Sequence, residues 1–118
     1  MWTVRTTDLF DQWFDQQDEP LQDKFLAGMN YIRLTGPGAG RPFVDAIKGS
    51  RYFNMKELRV QFKGDPLRAF FAFDPLRCAV MLCAGCKSSN EKRFYSEMIP
   101  IADEQLRIHL LHIEDDHG

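Results

Sequence analysis

Leu58, Val60 and Phe62 alternate with Arg59, Gln61 and Lys63, and after Gly64-Asp65-Pro66 the alternation resumes. Leu67, Ala69, Phe71 and Phe73 then fall on one side, with Arg68, Phe70 and Ala72 on the other. A period of two over such a stretch predicts two half-buried strands joined by a tight turn. If the turn brings Phe62 near Leu67, Gln61 falls beside Arg68 and Arg59 beside Phe70, because residues on one face meet across the ladder. One face of the hairpin is then apolar. The other gathers Arg59, Lys63 and Arg68 around one exposed aromatic, Phe70.

The rest of the chain follows the same logic. Trp2 to Thr6 reads as an opening strand. Thr7 is placed as an N-cap, with Asp8 in the first turn of a helix over about residues 8–17, whose apolar side is Leu9, Phe10, Trp13 and Phe14. Asp18-Glu19-Pro20 restarts the chain into a second helix striped by Leu21, Phe25, Met29 and Ile32. Gly36-Pro37-Gly38-Ala39-Gly40-Arg41-Pro42 is a surface loop; with no Gly-Lys-Ser/Thr after it and no strand before it, it is no phosphate loop. Residues 43–53 form a connector, with a short strand or turn near Val44–Ile47. After the turn Asp74-Pro75-Leu76-Arg77, the apolar run Cys78 to Cys86 suits a central strand. In that register Cys78, Val80 and Leu82 face the core, while Met81, Cys83 and Lys87 join the basic face. A helix starting at Ser88-Ser89-Asn90 runs to Pro100. A last helix carries Ala102, Leu106, Leu110 and Ile113, and residues 114–118 form a frayed tail. The expected architecture is a single α+β domain over residues 1–118. It has an N-terminal strand and two helices, then an antiparallel three-stranded meander and C-terminal helices.

Composition changes this picture little; charge changes it more. The chain has 118 residues, 44% hydrophobic and 13% aromatic, as an ordinary folded globule does. No apolar run is long enough for a membrane helix, and the N-terminus lacks a signal core, so a cytoplasmic address is the expectation. The formal net charge of −2 conceals an asymmetry, for residues 51–93 hold nine Lys and Arg against four Asp and Glu. That segment carries the hairpin, and the pattern is one expected for a local phosphate-binding patch.

Metal and nucleophile chemistry are poorly supported. Cys83-Ala84-Gly85-Cys86 has CxxC spacing, but zinc would need a second ligand pair, and residues three apart in a strand point to opposite faces. Three cysteines do not suggest a disulfide framework. His109 and His112 share a helix without the acidic ligand of a zinc protease. No Ser or Cys stands beside a His and an acid in a visible triad. The basic face offers more. Arg59, Lys63, Arg68 and Lys87, joined by Lys92, Arg93 and Tyr95, are cationic and phenolic groups without a carboxylate cluster. Such a set suits attack by a ribose 2′-OH on the adjacent phosphate, with cations stabilising the phosphorane and no metal or cofactor. Crowded positive charge is expected to lower the pKa of a Lys or Tyr and so make it a base. Phe70 or Tyr95 is placed to stack an unpaired base.

Gly49-Ser50-Arg51, Asn54-Met55-Lys56-Glu57-Leu58-Arg59, Arg68-Ala69-Phe70-Phe71-Ala72-Phe73-Asp74-Pro75, Gly85-Cys86-Lys87 and Phe94-Tyr95 resemble the RelE/ParE toxin superfamily. The similarity is to its HigB-like, phage-associated branch and runs nearly end to end. It implies the toxin of a type II toxin–antitoxin module, an endoribonuclease that cleaves mRNA on the ribosome. It implies as partner a small antitoxin, often with a helix-turn-helix domain, through which operator DNA is reached. It also implies roles: Arg68 on the scissile phosphate, Arg59 and Lys63 from the preceding strand, Lys87 and Tyr95 from the region after the last strand. Lys56, Phe70, Lys92 and Arg93 complete an RNA-binding surface. Gln61 stands where some members have Lys, and no His closely follows Tyr95. Two other functions fit the same superfamily: a ParE-like inhibitor of DNA gyrase, and an inactive homologue that binds antitoxin as a co-repressor.

Overall fold

In the computed structural model, which describes residues 1–88 and 90–117, strand β1 (Thr3–Thr6) leads into helices α1 (Asp8–Asp15) and α2 (Glu19–Thr35). Strands β2 (Val44–Ala46), β3 (Lys56–Phe62), β4 (Asp65–Phe73) and β5 (Cys78–Cys86) follow, and helix α3 (Glu91–His117) closes the chain. The strands make one sheet in the order β1-β5-β4-β3-β2. β1 lies parallel to β5, and the other pairs are antiparallel. The α+β expectation holds, and the meander acquires a strand at each edge.

Both faces of the sheet are covered. α1 and α2 lay Phe10, Leu21, Phe25 and Ile32 against Leu58, Val60, Leu67, Ala69, Phe71 and Met81. α3 lays Ala102 and Leu106 against Phe70, Ala72, Cys78, Val80 and Leu82 on the opposite face. α2 comes so close to β3 that a Cβ on Gly28 would stand 2.9 Å from the Leu58 side chain. Thr7 fixes the start of α1 in two ways. Its hydroxyl accepts from the Phe10 amide at 3.1 Å and donates to the Leu82 carbonyl at 2.7 Å, so the predicted N-cap also anchors the helix to β5.

The hairpin register differs from the expected one. Phe62 pairs with Asp65, not Leu67, and Arg59 pairs with Arg68. The turn is only Lys63-Gly64, both at positive φ (50° and 84°). That is the geometry of a two-residue hairpin loop whose twist matches the strands. Pro66, read as part of the turn, lies inside β4. β5 carries a bulge: Phe70 pairs with Cys83 and Phe71 with Met81, leaving Leu82 unpaired. Cys78, Val80, Leu82 and Cys83 therefore face α3 with Phe70, whereas Met81 faces the α1/α2 side; of these β5 residues only Cys83 is on its expected face.

The C-terminal region is one helix. Pro100 lies within it, and it runs to His117 with no frayed stretch after residue 114. An interior proline costs a helix roughly 3 kcal/mol. Here Phe94, Met98, Ala102, Leu106 and Leu110 form one stripe packed on the α3-side cluster, and this spacing of four carries the packing across Pro100. The expected helix start at Ser88-Ser89-Asn90 includes Ser89, which lies outside the described residues, as does Gly118 at the tail.

Candidate functional site

The observed register sets Arg59 directly opposite Arg68. Like charges across a ladder are destabilising, so a counter-charge is required. Glu57 supplies it. Two residues before Arg59 on β3, it shares that residue's face, and its side chain is only 3% exposed. One carboxylate oxygen accepts from Arg59 Nε at 3.0 Å. The other accepts from Tyr95 Oη at 2.6 Å and lies 3.8 Å from Arg68 Nε. Arg59 extends the chain of contacts outward, donating through a terminal nitrogen to Asp45 Oδ2 at 3.1 Å, which Arg41 also meets at 3.1 Å.

Each side chain has a defined electrostatic state. The hydrogen bond to Glu57 holds the Arg59 guanidinium above its ordinary pKa despite partial burial. The Asp45 carboxyl is held low, chiefly by the Ala46 amide and then by Arg41 and Arg59. Arg68 is nearly buried; Nη1 donates to the Leu67 carbonyl at 2.9 Å. Its buried Nε has no hydrogen-bond partner among the described residues and meets the Glu57 carboxylate only as a charge, at 3.8 Å. The Tyr95 hydroxyl is pushed up to about 12 by burial first and then by Glu57, against a smaller opposing effect of Arg68. This corrects the expectation of a lowered phenol: the carboxylate and desolvation outweigh the arginine. At neutral pH Tyr95 is a proton donor.

Lys87 comes close to the same group. Its ammonium lies 5.8 Å from the Tyr95 ring centroid and 3.2 Å from Glu91. Its amide donates to the Pro66 carbonyl at 2.7 Å, prolonging the β4–β5 ladder. Arg59, Arg68, Lys87 and Tyr95 are thus brought together. The other expected residues are not. Lys63 sits at the hairpin tip, its ammonium 5.2 Å over the Phe62 ring. Lys56 points with Leu58 to the opposite face and donates to the Pro37 carbonyl at 3.1 Å. Phe70 is fully buried, packed edge-on to Tyr95 at 6.0 Å. It is the floor beneath Tyr95 and offers no stacking surface, because α3 covers the face the hairpin pattern left open. Lys92 and Arg93 are exposed in the first turns of α3, Arg93 paired with Glu97 at 2.9 Å.

Two further parts have little signal in the sequence. Glu57 is the hub, and its parity with Arg59 was visible, but only the correct register shows that two arginines need it. Asp103, buried on α3, accepts from the Ser50 hydroxyl and from the Arg51 amide at 3.0 Å. It pins the Gly49-Ser50-Arg51 loop beside α3, and between them lies a cleft of about 520 Å³ with Tyr95 in its wall. Cys83, on the α3 face, has its thiol pushed up to about 12 by burial and is no nucleophile at neutral pH.

Residues 12–107 match the family described as Phage derived protein Gp49-like (DUF891). The Mycobacterium tuberculosis protein named "Putative toxin HigB2" is 38% identical over 115 residues, covering 97% of this chain and 57% of that relative. "Putative toxin HigB3" of the same organism is 39% identical over 95 residues, 80% of this chain and 82% of the relative. The chain therefore spans little more than half the length of the first relative. Among solved structures, the isolated E. coli RelE toxin superposes with a TM-score of 0.58 at 9% identity, covering 85% of this chain and 97% of RelE. A chain of the intact E. coli RelBE toxin–antitoxin complex gives 0.56 at 5% identity over 76% of this chain and 99% of that one. These likenesses show the RelE fold; the family match and the two relatives make the chain a member of the Gp49-like family, similar to the HigB toxins.

Proposed function

We propose that this chain is the toxin of a toxin–antitoxin pair and that it cleaves mRNA on the ribosome, without a metal, by attack of a ribose 2′-OH on the neighbouring phosphate. The observation that carries the reading is the opposed pair Arg59 and Arg68 around one buried carboxylate, with Lys87 and Tyr95 at its margin. Fixed cations stabilise a phosphorane because they need no reorganisation as its charge develops. Arg59 and Lys87 reach solvent and meet the non-bridging oxygens, while the nearly buried Arg68 adds its fixed positive charge from behind. Tyr95 is unsuited to act as a free tyrosinate. It serves in a relay: its oxygen takes the 2′-OH proton as its own proton passes to Glu57, 2.6 Å away. The 2′-oxygen then bonds to phosphorus, the P–O5′ bond breaks, and the 5′-oxygen leaves with a proton from water.

The partner is a cognate antitoxin, as RelE has in the RelBE complex, with operator DNA reached only through it. Induced expression followed by mapping of mRNA 5′ ends tests the reading. Cuts within translated frames support it. Uncut mRNA with stalled replication would replace it with gyrase inhibition, and uncut mRNA with normal growth would leave an antitoxin-binding co-repressor.

A further inference from the structure

We propose that Asp45 is a positioning residue: from the edge strand β2 it fixes the plane of the Arg59 guanidinium, so that the free donors of that fork meet the phosphate in one orientation. This rests on the nuclease reading above. Arg59 Nε donates to Glu57 Oε2 at 3.0 Å, and Nη2 donates to Asp45 Oδ2 at 3.1 Å. The two contacts restrain different bonds. Glu57 stops the side chain from swinging on its aliphatic stem, whereas the bond from Nη2 to Asp45 resists rotation about Nε–Cζ. The remaining N–H donors of the fork have no partner among the described residues, and a side chain 36% exposed leaves room for phosphate oxygens to reach them. A guanidinium held in one plane can engage two such oxygens at once.

Strand pairing gives Asp45 no reason of its own to be there. In the β2–β3 ladder it stands directly opposite Glu57, and like charges across a ladder are destabilising. Arg59 bridges the two carboxylates, as Glu57 bridges the two arginines. The carboxylate is itself held. Its Oδ1 accepts from the Ala46 amide at 2.9 Å, which leaves Oδ2 for the arginines. Arg41 also meets Oδ2, but its side chain is 78% exposed, and such a solvated contact adds little hold. The acceptor and the charge of Asp45 then act in opposite senses on RNA. The acceptor orients the fork, which matters for the rate. The negative charge opposes the approach of a polyanion, which matters for binding. A residue that merely supported the fold would not divide its effects in this way.

Asp45→Ala and Asp45→Asn separate the two effects. The readouts are single-turnover cleavage of mRNA on programmed ribosomes, affinity for a short single-stranded 2′-O-methyl RNA that has no 2′-OH to attack, and the Nη NMR signals of Arg59. Asp45→Ala loses both acceptor and charge. It should cut roughly tenfold more slowly, bind the methylated RNA roughly threefold more tightly, and merge Nη signals that are resolved in wild type. Asp45→Asn keeps an acceptor oxygen. It should recover most of the lost rate and the resolved signals while retaining the tighter binding. Wild-type cleavage by Asp45→Ala, weaker RNA binding by it, unmerged signals in it, or an Asp45→Asn variant as slow as Asp45→Ala would each overturn the positioning role. If wild type itself cuts no mRNA, the nuclease reading fails, and binding and the Nη signals decide the role of Asp45 on their own: tighter binding with merged signals in Asp45→Ala upholds it, and no change in either overturns it.

Discussion

Tyr95 carries its proton far above the pH at which a free tyrosine loses it, and this has a measurable consequence. The folded phenol titrates at about 12, while an unfolded one titrates near ~10. The contribution to stability is therefore whole below the unfolded value and is lost as pH rises toward the folded one. Spectroscopic titration should show a phenol ionising at about pH 12 that disappears in Tyr95→Phe, and the same variant should flatten the alkaline fall in melting temperature. Arg68 and Glu57 bear different loads. Arg68→Ala should lose roughly 10²-fold in cleavage, the scale of one missing transition-state donor. It should also cost roughly 1–3 kcal/mol of stability, since Arg68 is nearly buried and touches Glu57. Glu57→Gln should cost more, about 3 kcal/mol or above, because Arg59 and Arg68 then face each other without a counter-charge. Chemical denaturation of both single variants and of the pair checks this, and the pair should be less destabilised than the sum.

At the scale of elements, the hairpin tip is separate from the cluster. Lys63 occupies a positive-φ position where Asn or Gly is preferred. Lys63→Asn should raise stability by about 0.5 kcal/mol, read as a shift in the denaturation midpoint; a fall would mean that the Lys63–Phe62 contact matters more than the turn. The same turn explains what the sequence disclosed. Alternation placed Leu58, Val60, Leu67 and Ala69 correctly on the α1/α2 side, and the N-cap Thr7 and the stripe of α2 were equally legible. Register was not, because Pro66 imitates a turn residue while pairing inside β4. That error of two residues hid the meeting of Arg59 with Arg68, and with it the need for Glu57. Phe70 was misplaced for another reason: alternation tells which residues share a face, but not whether a distant helix covers it. The continuity of α3 is not legible locally, because propensity at Pro100 is overridden by a packing stripe made with strands elsewhere in the chain.

Across the whole molecule, charge and coverage together decide how a partner can approach. With helices on both faces of the sheet, the cationic cluster is reached at its margin, where Arg59 and Lys87 meet solvent. An acidic or amphipathic antitoxin segment lying there would be drawn in by the basic segment of an otherwise acidic chain. Association with the antitoxin should slow and weaken as ionic strength rises from ~0.05 to ~0.5 M; salt-independent kinetics would assign recognition to apolar contact elsewhere. The bulge in β5 bears on how this scaffold can change length. A residue removed from the middle of a regular central strand turns every later side chain inside out. Here Leu82 is the surplus member, flanked by Met81 and Cys83 that pair with consecutive residues of β4. Its loss would return the strand to strict alternation with Cys83, Ala84 and Gly85 still on their present sides. What would go is a buried leucine and the carbonyl that receives the Thr7 hydroxyl. The centre of the sheet thus holds a position where a homologue one residue shorter can keep the same arginines in register, provided it secures the first helix by other means.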